Sequence, residues 1–250
     1  MRVGIIWMGP AATSHIAPAV KGRDVPITTI NCQTIQPPVD CPPLRTIHFD
    51  PWLATLGADA LGTLLGRMKV DAAYLGAYSA GAGGLEGLLV RHAGDPRILG
   101  CYSADAYFAD FVKPGYKKQA DACQTSGVPF WLSSGELGSP HAKLFADALG
   151  MVDTPPPAVM PKPIVSRAKG PVRWLDYQKL YTHPEHASVL APIAIGSWLG
   201  VEMVPLPVPP AGGDEPPVES EGLTAVEKTL LVAGGIAIGV TLYRLVRRRW

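Results

Sequence analysis

The fold of this chain is decided by residues 71–84, which read DAAYLGAYSAGAGG. The first eight residues form a largely apolar run, of the kind that is buried on both faces in a parallel sheet. Glycines and alanines follow from residue 80, and a helical pattern then continues to His92. A strand, a tight turn and a helix in this order, with a serine at the turn, is the arrangement that presents a nucleophile.

Ser79 is the candidate nucleophile of this turn. Small residues stand two positions before it and two positions after it, Ala77 and Gly81. They are needed because such a turn is strained and the neighbouring elements crowd it. The start of the next helix adds free N–H groups and positive potential, which stabilise developing negative charge. Ala77 takes the place of the first glycine in the G-x-S-x-G pattern.

The rest of the body alternates strands and helices. Apolar or β-branched runs predict strands over 3–8, 25–32, 45–49, 97–102, 128–133 and 172–175. Helices are predicted over 11–21, 51–69, 85–92, 116–126, 140–149 and 184–199. This alternation indicates an α/β fold with a doubly wound, mostly parallel sheet covered on both faces. Ligands of such sheets bind beyond the carboxyl ends of the strands.

In the strand, turn and helix around Ser79, the chain resembles the α/β-hydrolase family, especially its minimal lipase- and esterase-like members. The resemblance covers residues 1–200 and implies an α/β-hydrolase-like domain. The family has an oxyanion loop after an earlier strand, and here the segment Met8–Ala11 precedes Ser79 by about 70 residues. The resemblance implies an oxyanion hole formed by the backbone N–H groups of Ala80 and of Met8 or a close neighbour. Pro10 has no N–H and is excluded.

The same resemblance implies an acid after a later strand and a histidine near the end of the domain. Residues 128–136 look like the family's penultimate strand, which makes Glu136 the natural acid, with Asp105 in reserve. His183 lies in the loop after the last predicted strand and is the first choice of catalytic base. His186, in the first turn of the following helix, is the alternative. The implied reaction needs no cofactor.

The C-terminal part of the chain differs in composition. Residues 201–224 are rich in proline and predict an extended, solvated linker. Residues 225–247 predict one transmembrane helix, followed by a basic tail to residue 250. Its apolar stretch Thr229–Val246 would span roughly 27 Å as a helix, close to the bilayer core of about 30 Å. Arg244 stands near its end, where a long side chain can reach the headgroups.

The expected partner of this helix is therefore the lipid bilayer, and the expected localisation is a membrane with a single-pass C-terminal anchor. Gly235 and Gly239 form a G-x-x-x-G pattern, which would allow two such helices to dimerise. The side of the membrane on which the domain lies stays open. The positive-inside rule places the domain outside the cytoplasm, whereas a tail anchor without a signal sequence leaves it inside.

The net charge and the cysteine spacing argue against nucleic-acid binding and against a zinc site. A net charge of +1 gives no basic field for nucleic acid. The four cysteines, Cys32, Cys41, Cys101 and Cys123, contain no C-x-x-C pair or spacing typical of zinc. Disulfides and buried thiols are both open readings.

Three function hypotheses follow. The first is a membrane-anchored serine hydrolase acting on ester-type bonds. The second is a non-catalytic, membrane-tethered structural or interaction module on a hydrolase-like scaffold, which an irregular acid position favours. The third is a phosphate- or nucleotide-binding domain that uses Gly81, Gly83 and Gly84, although their spacing fits neither G-x-G-x-x-G nor a P-loop.

Overall fold

The computed structural model describes residues 1–9, 13–30, 53, 55–106, 113–136 and 138–201. Eight strands lie within these ranges: β1 Val3–Met8, β2 Ile27–Ile30, β3 Ala72–Tyr78, β4 Ile98–Ala104, β5 Phe130–Gly135, β6 Val152–Asp153, β7 Val165–Lys169 and β8 Val172–Gln178. They form one sheet in the order β2-β1-β3-β4-β5-β8-β7-β6.

The sheet is parallel from β2 to β8, and only β7 and β6 pair antiparallel to their neighbours. The predicted α/β fold with a mostly parallel sheet is therefore confirmed. β6 and β7 were not predicted. β6 has only two residues and β7 is largely half-buried, so neither produces a continuous apolar run. The predicted strand over 45–49 lies outside the described residues.

The helices alternate with the parallel strands. They are α1 Thr13–Ile16, which continues as a 3₁₀ turn over Ala17–Val20, α2 Ala60–Met68, α3 Ala82–His92, α4 Pro114–Ser126, α5 Ser139–Leu149, α6 His183–Glu185, and, after a π-helical turn over His186–Leu190, α7 Ala191–Trp198. In the stretch predicted as a helix over 51–69, Leu53 and Thr55 are helical, and residues 51, 52 and 54 lie outside the described residues. Helix α2 begins at Ala60. Asp59 caps it there by accepting a hydrogen bond of 2.9 Å from the Gly62 N–H.

Two hydrophobic cores lie on the two faces of the sheet. In β1, Ile6 and Met8 belong to one core while Ile5 and Trp7 belong to the other, and all four are fully buried. Side chains alternate between faces along a strand, which is why the sequence of β1 is apolar at successive positions. Helices α2 to α5 cover the first core, and the segments around Ile16 and Ile193 cover the second.

The described part of the chain contains no helix that is both long and apolar enough to cross a bilayer. The predicted transmembrane helix over 225–247, with Gly235 and Gly239, and all but the first residue of the predicted linker lie outside that part. Cys101 and Cys123 are buried free thiols. Burial raises the pKa of Cys123 to about 11, although a hydrogen bond from Gln119 opposes this rise. Cys32 and Cys41 are outside the described residues.

Candidate active site

Ser79 leaves the carboxyl end of β3 in a left-handed backbone conformation, with φ of 53°. This conformation costs a non-glycine residue free energy and is typical of functional turns. The turn packs tightly against the end of β1, because a Cβ at Gly81 would collide with the Met8 carbonyl. A Cβ at Gly9 would collide with the Tyr78 carbonyl in the same way. Glycine at position 81 therefore serves this close approach, as the sequence pattern required.

Asp105 leaves the neighbouring strand at the same level. Tyr78 of β3 and Ala104 of β4 are register partners, so Ser79 and Asp105 are the next residues beyond two adjacent strand ends. Asp105 also has a left-handed backbone, with φ of 43°. Its N–H donates to the carbonyl of Ser133 on β5 at 2.8 Å, and its side chain is buried.

His183 makes a short contact with this carboxylate. Its Nδ1 lies 2.6 Å from Oδ2 of Asp105, and its ring centroid lies 4.6 Å from that of Tyr78, the residue before Ser79. The side chain is 38 % exposed, so a substrate can reach the imidazole. Thr182 and Glu185 fix the start of α6 at this point, because the Thr182 N–H donates to Oε2 of Glu185 at 2.6 Å.

Asp105 is held in its ionised form. Burial alone would raise the pKa of this carboxyl, but hydrogen bonds from His183 and the Gly135 N–H outweigh it and place the pKa below its ordinary value. The Gly135 N–H donates to Oδ1 at 2.8 Å. The two carboxylate oxygens therefore have separate partners, one on β5 and the other on α6.

Glu136 is placed elsewhere. It is exposed and forms an ion pair with Lys179, with 3.4 Å between Oε1 and Nζ. The acid that the structure brings to His183 is the reserve, Asp105, rather than the first choice, Glu136. Two glycines at the end of β5 and just after it, Gly135 and Gly138, leave the space that the Asp105 carboxylate occupies. A Cβ at either position would crowd this carboxylate.

A second buried carboxylate, Asp176 of β8, holds the two ends of the turn after β5. Ser134 Oγ donates to its Oδ1 at 3.0 Å, and Ser139 Oγ donates to its Oδ2 at 2.8 Å. Trp174 Nε1 in turn donates to Ser134 Oγ at 2.8 Å. Asp176 thus fixes the turn whose Gly135 N–H binds Asp105. The role of Asp176 was not predicted, because a lone Asp in a strand carries no motif.

His186, the alternative base, lies in the interior. It is fully buried, and its Nδ1 lies 3.0 Å from Ser133 Oγ. Desolvation by burial lowers the pKa of His186 to about 4. The structure therefore brings His183, and not His186, into hydrogen-bond contact with Asp105.

Of the two predicted oxyanion-hole residues, Ala80 is within the serine turn and Met8 ends the neighbouring strand β1. Ala80 follows Ser79 in a 3₁₀ turn that leads into α3. Met8 ends β1, in register with Ala77 of β3. The next N–H, that of Gly9, donates to the Ile30 carbonyl at 3.0 Å and is thereby engaged in the sheet. Residues 10–12 of the loop lie outside the described ranges.

Other ligand chemistry finds less support at this edge of the sheet. Gly81 and Gly84 are buried, and Gly81 packs against Met8, so these glycines do not form an open cradle for phosphate. Within the described residues, no group of three His, Cys, Asp or Glu side chains is arranged as metal ligands would be.

Comparison with known proteins adds no family assignment. The chain matches no protein-family model, and no curated protein shows significant sequence similarity to it.

Proposed function

We propose that this chain is a serine hydrolase acting on ester-type bonds, with Ser79 as nucleophile, His183 as base and Asp105 as the acid that orients the imidazole. The observation that carries the proposal is the 2.6 Å contact between His183 Nδ1 and Asp105 Oδ2, beside a strained serine turn. A buried carboxylate on one imidazole nitrogen sets the tautomer in which the other nitrogen accepts a proton.

The proposed reaction has two stages. Ser79 Oγ attacks the carbonyl carbon of the substrate while His183 Nε2 takes the hydroxyl proton. His183 then gives this proton to the leaving alcohol, which departs and leaves an acyl-serine. In the second stage, water attacks the acyl-serine and gives a proton to His183. The bond between Ser79 Oγ and the acyl carbon then breaks, His183 returns the proton to Ser79 Oγ, and the carboxylic acid product leaves. Asp105 remains ionised throughout and stabilises the imidazolium.

The turn itself supplies part of the rate enhancement. A left-handed residue between a strand and a helix places Oγ at the carboxyl edge of the sheet, where ligands of parallel sheets bind. The Ala80 N–H, at the start of the following helical segment, is one proposed oxyanion donor. The second would come from the loop after β1. Donors of this kind stabilise the charge that develops on the carbonyl oxygen.

Membrane attachment is the second part of the proposal. It is supported by the length and composition of residues 225–247 and by the proline-rich segment that precedes them. A tether of this kind would hold the hydrolase near a bilayer, its proposed partner. The hypothesis of a non-catalytic module rested on the irregular position of Glu136 as the acid. The proposed triad uses Asp105 instead and does not depend on Glu136.

A fluorophosphonate probe tests the proposed chemistry, because it reacts covalently with an activated serine. We expect labelling of the wild-type protein and its loss in Ser79→Ala. Ser126→Ala is the matched control: Ser126 is exposed and ends α4, at the opposite end of the sheet from the strand carboxyl ends. Absence of labelling in a folded wild-type protein would refute the proposal.

A further inference from the structure

His186 is a buried histidine that the proposed reaction does not use. Its side chain is 0 % exposed. The Nδ1 atom contacts Ser133, whereas the Nε2 atom is buried and makes no hydrogen bond within the part of the chain that the structure describes. A buried polar atom without a partner costs free energy. Its orientation therefore requires a compensating interaction.

The Nε2 atom of His186 lies beside the same small space as the Asp105 carboxylate. A Cβ at Gly135 would be 2.9 Å from Asp105 Oδ2 and 3.3 Å from His186 Nε2. The two atoms thus flank one point next to Gly135. Oδ2 is also the oxygen that contacts His183. His186 is therefore a close neighbour of the pair that orients the proposed base.

The Ser133 hydroxyl can donate to Nδ1 of His186 or accept from it, so the neighbouring Asp105 carboxylate decides between the two neutral tautomers. If the Ser133 hydroxyl donates to Nδ1, the hydrogen of the neutral ring is on Nε2, and the positive end of that N–H dipole lies near Asp105. The opposite tautomer would place a lone pair near an ionised carboxylate, which is repulsive. A charged imidazole is disfavoured because burial penalises it. The neutral Nε2–H tautomer is the arrangement that suits both neighbours.

We propose that His186 is a positioning residue: anchored by Ser133 at Nδ1 and present as the Nε2–H tautomer, it fixes the Asp105 carboxylate that orients His183. Its effect on rate rests on the proposed hydrolase function. The positioning itself is a property of the folded protein and can be measured without any reaction.

The test is proton NMR of protein carrying ¹⁵N-labelled histidine, which reports the His183 Nδ1–H that binds Asp105. We expect a strongly downfield signal in the wild type, and its absence in Asp105→Asn identifies it. His186→Leu should displace or broaden this signal, because Leu removes the N–H dipole that lies beside the carboxylate. His186→Gln retains an N–H donor and should restore it.

Activity provides the second readout. With p-nitrophenyl butyrate as the probe, His186→Leu should lower kcat on the order of 100-fold, as misplacement of a catalytic group does. KM should change little, because His186 does not contact the substrate. His186→Gln should recover most of the lost kcat. A merely structural role would not lower kcat alone and would not be rescued by Gln.

The outcomes separate the two proposals. A folded His186→Leu protein that keeps the wild-type signal overturns the positioning role, whatever its activity. A displaced signal in a protein that no fluorophosphonate labels supports the positioning role and overturns only the hydrolase proposal. If His186→Leu does not fold, Ser133→Ala replaces it, because that variant keeps His186 and removes the hydroxyl that anchors its Nδ1. An unchanged signal in that variant also overturns the proposal.

Discussion

Ser79 and Asp105 are the first residues beyond two adjacent parallel strands, and both have positive φ angles, 53° and 43°. Their preceding residues, Tyr78 and Ala104, are register partners. Two neighbouring strands therefore end at one level, and each ends in a strained residue with a polar side chain. Strain of this kind persists only where the surrounding structure enforces it, and here β1 and the turn after β5 do so.

The choice between the two acids can be tested directly. Asp105→Asn keeps an oxygen for the Gly135 N–H but presents an amide to His183, which stabilises the wrong tautomer. We expect a loss of fluorophosphonate labelling rate and of kcat of about 10³- to 10⁴-fold. Glu136→Gln is the control and should leave both unchanged, because Glu136 pairs with Lys179 at the surface. Equal losses in the two variants would refute the assignment of Asp105.

The close packing of the serine turn predicts a stability effect at Gly81. Gly81→Ala places a Cβ against the Met8 carbonyl, so the backbone must shift. We expect the free energy of unfolding to fall by about 1–3 kcal/mol, measured by urea denaturation. Gly66→Ala is the matched control in α2, where a Cβ meets nothing within 4 Å. It should be neutral or stabilise the protein by up to about 1 kcal/mol. Similar destabilisation in both variants would contradict this account.

We expect substitution of Gly135 to lower activity more than it lowers the stability of the fold. In Gly135→Ala, the new Cβ would lie 2.9 Å from Asp105 Oδ2, which displaces the carboxylate while the backbone N–H remains available. We expect kcat on p-nitrophenyl butyrate to fall on the order of 100-fold, with little change in KM. An unaltered kcat in a folded variant would show that the space beside Gly135 is not needed.

The buried state of His186 predicts how stability depends on pH. The pKa is about 4 in the folded protein because of desolvation, against an ordinary value of 6.5. Between these values the unfolded chain binds more protons, so the free energy of unfolding decreases as pH falls from about 6.5 to about 4. The full loss is on the order of 3 kcal/mol, and His186 contributes no slope above this range.

Urea denaturation at several pH values between about 7.5 and 4.5 measures this slope. His186→Gln removes the titrating ring and should flatten the curve. The depressed pKa of Asp105 contributes in the same direction, but only at lower pH, and it is present in both proteins. If the two curves run parallel, the slope does not come from His186.

The C-terminal segment predicts membrane association. Full-length protein should stay in the membrane fraction after carbonate extraction, and deletion of residues 225–250 should release it to the supernatant. Deletion of residues 248–250 alone is the control, because it keeps the apolar stretch Thr229–Val246 intact. Release of the full-length protein by carbonate would contradict the anchor.

Much of the fold follows from sequence patterns, for a definite reason. β1 and β3 are buried on both faces, and such strands appear as unbroken apolar runs with clear ends. The two antiparallel strands are short and partly exposed, so their pattern resembles that of a loop. The start of α2 depends on the Asp59 cap, which a hydrophobic pattern does not reveal.

The site was predictable only in part. Ser79 has a local signature, since its turn needs small neighbours. Asp105 and Glu136 both follow a predicted strand, and nothing local distinguishes them. The difference arises from strand order, because β4 lies beside β3, and from Gly135 and Gly138, which leave space for one carboxylate while the other is at the surface. Strand order and the space beside these glycines exist only in the assembled sheet, so a local sequence pattern does not predict them.

The position of β8 has a consequence for biosynthesis. It is the last strand in the described part of the chain, yet it lies between β5 and β7, and both histidines of the site follow it. A nascent chain that has emerged only as far as α5 contains Ser79 and Asp105 without His183, His186 or the Asp176 that secures the turn. The proposed site is therefore completed only after β8 and α6 have been synthesised, and under the proposed function a shorter chain lacks the base that would activate Ser79.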